Sequence, residues 1–229
     1  MPYNWILFDA DNTLFDFDRS ERYALEQALG DFNIPFQTEF LEAYHQVNKQ
    51  CWKAFEEGEM DQETLKGRRF ELFLQEIDAK GDAKQMGANY LQHLASTDFL
   101  ISGARQLLKR FLGKYKMVLV TNGLKVVQRP RITKTQTTHY FQAIIVSEEI
   151  GASKPGAAFF EYTFEQIGHP RKEEVIIVGD SLNSDIRGGN DFGIDTCWFN
   201  PNEQKNESGI FPTFEIQSLQ SLESVIQSA

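Results

Sequence analysis

The sequence predicts an α/β protein: a doubly wound, Rossmann-like parallel sheet that carries an inserted α-helical cap subdomain. From residue 102 onward, short apolar runs alternate with helical segments, as in parallel strands joined by right-handed helical crossovers. A similar apolar run stands at residues 5–8. Residues 18–96 show helical periodicity without strand-like alternation. We therefore expect a core formed by residues 1–17 and 97–229 and a helical cap formed by residues 18–96.

The first predicted strand ends at a pair of acids. Residues 5–8 are large and apolar, which favours a buried strand, and Asp9 and Asp11 follow it. Two carboxylates this close require either a cation between them or a proton on one of them. The carboxyl edge of an open α/β sheet is also where ligands bind. The pair therefore predicts a functional site, although an acid after a strand, taken alone, more often forms a turn or caps a helix.

Four helices are expected in the cap, each beginning near a residue that can cap a helix. Asp18 with Glu21 resembles a capping box, and Thr38, Asp61 and Asp82 can begin the other three helices. Apolar residues of the second helix recur at spacings of three and four, which places them on one face. These residues are Phe40, Tyr44, Val47, Cys51 and Phe55.

The remainder of the core is expected to alternate between helices and buried strands. Ser102 can cap a helix that Gly113 stops. Further strands are predicted at residues 117–120, 143–146, 175–178 and 196–199, with helices at 156–167, 184–192 and 219–226.

Polar residues follow three of these strands. Asp9, Thr121 and Asp180 stand at strand ends, and Lys154 lies in the loop before the helix that leads to the strand ending at Asp180. Parallel strands bring these side chains to one edge of the sheet. Together with Asp11 they form a set suited to phosphoryl transfer, in which acids hold a divalent cation and donors hold phosphate oxygens. Taken singly, each residue also fits a turn, a cap or a solvated loop.

Composition excludes several classes of function. The chain of 229 residues has a formal net charge of −10, which argues against binding to nucleic-acid polymers. No apolar run approaches the length of a membrane span, and the N-terminus lacks the pattern of a secretory signal. Cys51 and Cys197 stand far apart in unlike contexts, which suits reduced thiols. A cytoplasmic protein is expected.

Four segments resemble, in order, the motifs of the haloacid dehalogenase (HAD) superfamily. They are Asp9-Ala10-Asp11-Asn12-Thr13, Thr121-Asn122-Gly123, Lys154-Pro155 and Gly179-Asp180-Ser181-Leu182-Asn183-Ser184-Asp185. The helical insertion is similar to the C1 cap of that superfamily. Proline in the segment Gln128-Arg129-Pro130-Arg131 departs from the expected pattern, because it interrupts a segment that should be helical.

Within that superfamily the chain is most similar to the pyrimidine 5′-nucleotidases that act on noncanonical nucleoside monophosphates. The narrower resemblance rests on Val47-Asn48-Lys49, Trp52, Gly58 and Arg69-Phe70 in the cap, and on Ser147-Glu148-Glu149-Ile150-Gly151 and Cys197-Trp198-Phe199-Asn200 in the core.

The residues and the resemblance together imply a two-step mechanism. Asp9 is the expected nucleophile that forms an aspartyl-phosphate, and Asp11 is the expected general acid and then base. Mg²⁺ would be held by the Asp9 carboxylate, the Asp11 main-chain carbonyl and Asp180. Three residues are expected to hold nonbridging phosphate oxygens, namely Thr121, Asn122 and Lys154. Asp185 is expected to orient Lys154 or a metal-bound water, or else to serve as a helix-cap acid.

The sequence does not identify the substrate beyond a small phosphorylated metabolite. Trp52 and Arg69 are the candidate cap contacts, although such residues also serve as helix core or as solvated helix charges. Alternatives to a nucleotidase are a phosphoglycolate or sugar-phosphate phosphatase, a phosphosugar mutase, a dehalogenase, and a noncatalytic phosphoacceptor module. Dehalogenation is disfavoured because it requires neither a metal site nor the acid at position 11. The protein is expected to be a monomer or a homodimer.

Overall fold

The sheet expected from the sequence is confirmed. The computed structural model describes residues 3–56 and 59–228, and within these residues six parallel strands form one sheet in the order β3-β2-β1-β4-β5-β6. The strands are β1 (Trp5–Asp9), β2 (Lys116–Thr121), β3 (Phe141–Val146), β4 (Val175–Gly179), β5 (Asp195–Phe199) and β6 (Phe214–Ile216). The chain therefore turns from one side of β1 to the other between β3 and β4, which creates a ligand-binding crevice in folds of this kind.

Strand β1 lies at the centre of the sheet because its residues are apolar on both faces. Ile6 and Phe8 join one buried apolar cluster, and Trp5 and Leu7 join the cluster on the other side. Successive residues of a strand point to opposite faces, so this assignment follows directly from the unbroken apolar run. In register, Asp9 pairs with Val120 at the end of β2.

Helices cover both faces of the sheet. They are α5 (Ala104–Phe111), α6 (Lys125–Lys134), α7 (Ser147–Ile150), α8 (Ala157–Gln166), α9 (Arg187–Phe192) and α10 (Leu222–Ser228). A π-helical turn at Leu182–Ile186 precedes α9 and is capped by the Ser181 side chain, which accepts a hydrogen bond from Ser184 N at 3.2 Å. None of the helices in the described residues is both long and apolar enough to cross a lipid bilayer.

The chain divides into two compact units. One comprises Asp18–Thr97, and the other comprises the chain on either side of it. The inserted unit contains α1 (Phe17–Asp31), α2 (Thr38–Glu56), α3 (Gln62–Glu76) and α4 (Ala83–Ala95). Four buried rings pack together in it, with ring centroids 5.2 to 6.4 Å apart, and these belong to Tyr44, Phe70, Phe73 and Tyr90. The side chain of Phe55 and the whole of Gly58 lie outside the described residues.

The two connections to the inserted unit run side by side. Phe15 forms an antiparallel bridge with Leu100, and Asp16 N donates to Phe99 O at 3.2 Å. Ile101 N donates to Leu14 O at 2.9 Å. The chain segments that enter and leave the insertion are therefore hydrogen-bonded to each other within the core unit.

Helix starts were predicted with mixed success. Asp61 and Asp82 are N-caps as expected, since their side chains accept hydrogen bonds from Thr64 N and Gln85 N. The assignment of Asp18 as a cap is wrong, because α1 already begins at Phe17. Ser102 is not the cap of α5 either. Gly103, with a φ of 85°, occupies that position, because glycine adopts this conformation without a steric penalty.

Two further differences concern α6 and the sheet edge. Helix α6 continues through Pro130, so the segment after Thr121 is helical despite the proline. Strand β6 lies between the last predicted strand and the last predicted helix, where no strand was predicted, and it is only three residues long. So short a strand leaves little periodic signal in the sequence.

Candidate active site

Asp9 lies at the carboxyl end of β1, and the chain turns sharply after it. The Asp9 residue is 7% exposed, so its carboxylate is largely shielded from water. Leu14 N and Phe15 N both donate to Ala10 O, and Asn12 adopts a φ of 58° within this turn. Asparagine tolerates that conformation better than most residues. The turn leaves Asp11 beside the strand end, two residues beyond Asp9.

Lys154 connects Asp9 to a second buried acid. Its Nζ donates to Asp9 Oδ1 at 2.5 Å, to Asp185 Oδ1 at 2.6 Å and to Val120 O at 3.2 Å. An ammonium group has three protons, and these three acceptors match that number. Asn122 anchors the lysine backbone, since its amide accepts from Lys154 N at 2.9 Å and donates to Lys154 O at 2.8 Å. Hydrogen bonds therefore fix both the backbone of Lys154 and its side-chain ammonium.

Asp180 and Asp185 approach Asp9 from the end of β4. One carboxylate oxygen from each of the three acids lies within 4.8 Å of the others. Asp185 Oδ2 also accepts from Ser181 N at 3.1 Å, and the main-chain oxygen of Asp180 accepts from the Trp198 indole at 2.8 Å. Buried oxygen ligands at this spacing are the donor set that Mg²⁺ prefers. The expected meeting of Asp9 and Asp180 around one cation is therefore compatible with the geometry.

The charges at this site are incompletely balanced by the protein. Burial raises the pKa of Asp9 well above the ordinary aspartate value, and the neighbouring Lys154 offsets this only in part. Burial, followed by the charge of Asp185, raises the pKa of Asp180 to about 7. Burial alone would lower the pKa of Lys154, but Asp185 and Asp9 outweigh it and raise that pKa. Three acids around one ammonium thus form a site in which a further cation is favourable.

Asp11 is held by two residues that the sequence analysis did not place in the site. Gln128 Nε2 donates to Asp11 Oδ2 at 2.5 Å, and Arg131 Nη1 donates to Asp11 Oδ1 at 2.6 Å. Both donors lie on α6 and both are buried. The sequence does carry a signal for Gln128 and Arg131. They are three positions apart and therefore share one helix face, and they stand next to the apolar Val127 and Ile132, which indicates a buried face.

Thr121 ends β2 beside the same edge of the sheet. The residue is 1% exposed, and its hydroxyl oxygen accepts from Gly123 N at 3.0 Å. The hydroxyl proton remains available for an acceptor such as a phosphate oxygen. Thr13 reaches the site as well, since its hydroxyl donates to Asp180 Oδ1 at 3.4 Å.

The two candidate contacts in the cap differ in burial. Trp52 on α2 is partly buried. Arg69 on α3 is 3% exposed, so it is not a solvated helix charge. Its Nη1 donates to Asn48 Oδ1 at 3.1 Å, and its guanidinium lies over the rings of Phe70 and Tyr90 at 5.3 and 5.1 Å. Within the described residues, its Nε and Nη2 have no hydrogen-bond partner.

Comparison with known proteins places this geometry in context. A family model described as haloacid dehalogenase-like hydrolase matches residues 3–193. The pyrimidine 5′-nucleotidase YjjG of Escherichia coli is 33% identical, with 99% of each chain covered. The pyrimidine 5′-nucleotidase PynA of Streptococcus pneumoniae is 34% identical over 97% of this chain and 94% of its own. The crystal structure of the HAD-hydrolase YfnB of Bacillus subtilis, bound to magnesium, superposes with a TM-score of 0.93 at 35% identity and 99% coverage of both chains.

Proposed function

Because the chain belongs to the haloacid dehalogenase-like hydrolase family, we propose that it is a Mg²⁺-dependent phosphomonoesterase acting on pyrimidine nucleoside 5′-monophosphates. The observation that carries the chemical proposal is the cluster of Asp9, Asp180 and Asp185 around Lys154. Acids with a single ammonium can hold a metal and a phosphate together, and one of the acids is positioned to attack phosphorus.

Asp9 is the proposed nucleophile. One of its carboxylate oxygens attacks phosphorus and forms an aspartyl-phosphate as the ester P–O bond breaks. Water then attacks phosphorus, which breaks the bond to Asp9 and releases inorganic phosphate. Lys154 supports this role because its ammonium, 2.5 Å from Asp9 Oδ1, favours the ionised carboxylate despite burial. Asp185 accepts another hydrogen bond from that ammonium, at 2.6 Å, and is a positioning residue in this proposal.

The proposed magnesium ligands are the Asp9 carboxylate, the Asp11 main-chain carbonyl and Asp180. The fit rests on the donor chemistry, since three acids share one ammonium and burial raises the pKa of two of them. When bound, Mg²⁺ supplies positive charge that allows an anionic nucleophile to approach an anionic phosphate.

Asp11 is the proposed general acid and base. It donates a proton to the leaving ester oxygen in the first step, and it accepts a proton from the attacking water in the second. Its side chain is 27% exposed, so the carboxylate can be reached from outside while its neighbours are buried.

Phosphate binding is assigned to the residues that follow β2 and to Lys154. Thr121 has a hydroxyl proton to donate to a nonbridging oxygen. Lys154 can exchange one of its three protein acceptors for such an oxygen. The Asn122 side chain is engaged with the Lys154 backbone, so its contribution to phosphate binding includes holding this lysine in place.

The nucleotide substrate is proposed from the named relatives. Two relatives that cover nearly the whole chain are pyrimidine 5′-nucleotidases. Trp52 and Arg69 remain the proposed cap contacts. The Nε and Nη2 donors of Arg69, which have no hydrogen-bond partner among residues 3–56 and 59–228, suit a carbonyl oxygen of a base or sugar. The free thiols of Cys51 and Cys197 are buried, which supports the proposed cytoplasmic location. A monomer or homodimer remains the proposed assembly.

The test is a substrate panel assayed with Mg²⁺ and with EDTA. The panel contains UMP, dUMP, dTMP, purine monophosphates, phosphoglycolate, hexose phosphates and 4-nitrophenyl phosphate, compared by kcat/KM. The proposal expects metal-dependent release of phosphate, fastest from the pyrimidine monophosphates. A higher kcat/KM for phosphoglycolate or a sugar phosphate would replace the substrate assignment. Recovery of an isomeric phosphate ester would indicate a mutase. Absence of metal-dependent turnover on every ester would reject the phosphatase itself.

A further inference from the structure

The carboxylate of Asp11 is held at both oxygens by one helix. Gln128 contacts Oδ2 and Arg131 contacts Oδ1, at 2.5 and 2.6 Å. From this geometry we infer that Gln128 and Arg131 are positioning residues, which aim Asp11 at the leaving-group oxygen. This inference rests on the general-acid role proposed for Asp11.

The Arg131 side chain is buried in the core, where it pairs with Asp11. That side chain is 1% exposed, and a guanidinium that deep requires a negative partner. Asp11 supplies that charge, and the rings of Phe15 and Phe17 lie 5.1 and 6.0 Å from the guanidinium carbon. Arg131 is buried whereas Asp11 is 27% exposed. Arg131 therefore contacts Asp11 from the buried side, and the exposed part of the Asp11 carboxylate remains accessible to a substrate.

Gln128 reaches Asp11 because Gly123 has no side chain. A Cβ atom at position 123 would lie 2.2 Å from Gln128 Nε2, where no atom fits. Glycine at this position therefore clears the path of the amide. The contact between Gln128 and Asp11 joins residues 117 positions apart in the chain. Because Gly123 lies in the loop after β2, this loop helps to position Asp11 in addition to its proposed role in phosphate binding.

Helix α6 is also tied down on its other side. Arg129 Nη2 pairs with Glu149 Oε2, and Lys125 N donates to Glu148 Oε2, both at 2.5 Å. These contacts attach the more exposed side of α6 to α7, and they do not set the orientation of the Asp11 carboxylate, which positions 128 and 131 contact directly. General acids depend on accurate placement, and a displacement of about 1 Å can lower a rate about 100-fold.

The consequence for catalysis depends on the leaving group. An alkoxide is a poor leaving group and needs a proton, whereas 4-nitrophenolate leaves readily without one. Loss of Asp11 alignment should therefore slow hydrolysis of an alkyl ester far more than hydrolysis of 4-nitrophenyl phosphate. A variant that is merely less stable or partly inactive would lower both rates by the same factor.

The experiment compares kcat/KM for 4-nitrophenyl phosphate and for the best alkyl ester of the panel, which is UMP if the nucleotidase proposal holds. The variants are Asp11→Asn, Gln128→Leu, Arg131→Met and Arg131→Lys. We expect Gln128→Leu and Arg131→Met to lose about 10- to 100-fold more on the alkyl ester than on the aryl ester, mainly in kcat. Arg131→Lys should recover part of that loss, since a lysine can restore one charged contact.

Arg129→Met is the matched control, because it removes an arginine from the same helix and loosens its attachment without touching Asp11. It should leave the alkyl-to-aryl ratio unchanged. Thermal unfolding of each variant checks that it folds. If Arg131→Met does not fold, Gln128→Leu still tests the positioning role.

Three outcomes would overturn the inference in different ways. A changed ratio in Asp11→Asn with a wild-type ratio in the position 128 and 131 variants would reject the positioning role alone. An unchanged ratio in Asp11→Asn would reject the general-acid assignment, and the positioning role with it. The same shift in Arg129→Met would show that the helix as a whole, rather than this pair, aligns the acid.

Discussion

Gly179 and Asp185 approach so closely that only glycine fits at position 179. A Cβ atom there would lie 2.2 Å from Asp185 Oδ2. Gly179→Ala should therefore push this carboxylate away from Lys154 and Ser181. We expect a loss of about 1–3 kcal/mol in the free energy of unfolding and at least a ~10-fold lower kcat. Urea denaturation and the phosphatase assay would measure the two effects.

Gly67 provides the control for this substitution. It lies in α3, and a Cβ atom there would meet nothing within 4 Å. Gly67→Ala should leave activity unchanged. It should stabilise the protein by up to ~1 kcal/mol, because alanine has a higher helix propensity than glycine. Wild-type activity and stability in Gly179→Ala would show that Asp185 can move without consequence.

Asp9→Asn should abolish turnover without weakening the fold. The amide cannot act as the nucleophile, so we expect kcat to fall by at least ~10⁴-fold. Burial raises the pKa of Asp9, which means that the ionised carboxylate is held at a cost in stability. The melting temperature of the variant in EDTA should equal or exceed that of the wild type. Substantial residual turnover would remove Asp9 as the nucleophile.

Lys154→Met should destabilise the protein as well as inactivate it. The substitution leaves Asp9 and Asp185 buried without the ammonium that both now contact. Breaking a buried ion pair in this way costs about 3–5 kcal/mol. The Asp9→Asn/Lys154→Met double variant should recover part of the loss, because one of the stranded charges is gone. The wild type, the two single variants and the double variant form a double-mutant cycle, measured by denaturation in EDTA. If the two single effects on the free energy of unfolding simply add, Asp9 and Lys154 are not energetically coupled.

His45 should make the stability of the cap depend on pH. Its hydrogen bond to the Glu21 carboxylate, 2.7 Å away, raises the pKa of His45 above the ordinary value. That stabilisation is fully present below about pH 6.5 and disappears as the pH rises through the folded-state pKa. His45→Gln should therefore lower the melting temperature more at pH 6 than at pH 9. The effect should stay below ~1 kcal/mol, because the His45 side chain is 42% exposed.

Glu21→Gln tests the origin of that pH dependence. In this background the effect of His45→Gln on the melting temperature should no longer vary with pH. A difference that persists between pH 6 and pH 9 would point to another titrating group.

Arg69→Met should impair recognition of nucleotides more than the chemistry. If its Nε and Nη2 donors contact the substrate, the KM for UMP should rise about 10-fold while kcat/KM for 4-nitrophenyl phosphate changes little. Arg68→Met is the matched control, since Arg68 is exposed and pairs with Glu71. Equal losses on both esters would mean that Arg69 only supports the packing of the cap.

The parallel sheet was predictable because its strands carry their own signal. Buried runs such as Trp5–Phe8 and Val175–Val178 are continuous in the chain, and each ends at a polar residue. Once the sheet is parallel, topology alone brings Asp9 and Asp180 to the same edge. The resemblance of the short motifs to a known family then supplied the expected roles.

The support of Asp11 was not predictable in the same way. Its contacts with Gln128 and Arg131 span 117 and 120 positions, and they depend on how α6 docks on the core. Pro130 predicts an interruption in this segment, but α6 continues through it. The three-residue strand β6 escaped prediction because so short a segment carries no measurable periodicity.

The paired segments on either side of the insertion have an evolutionary consequence. Phe15 and Leu100 face each other across an antiparallel bridge, so the points of departure and return are neighbours. A tight reverse turn could rejoin them if the intervening unit were removed, and an insertion of another size could be joined at the same two points. Recombination here could therefore exchange one inserted unit for another without altering the order of the strands that carry Asp9 and Asp180.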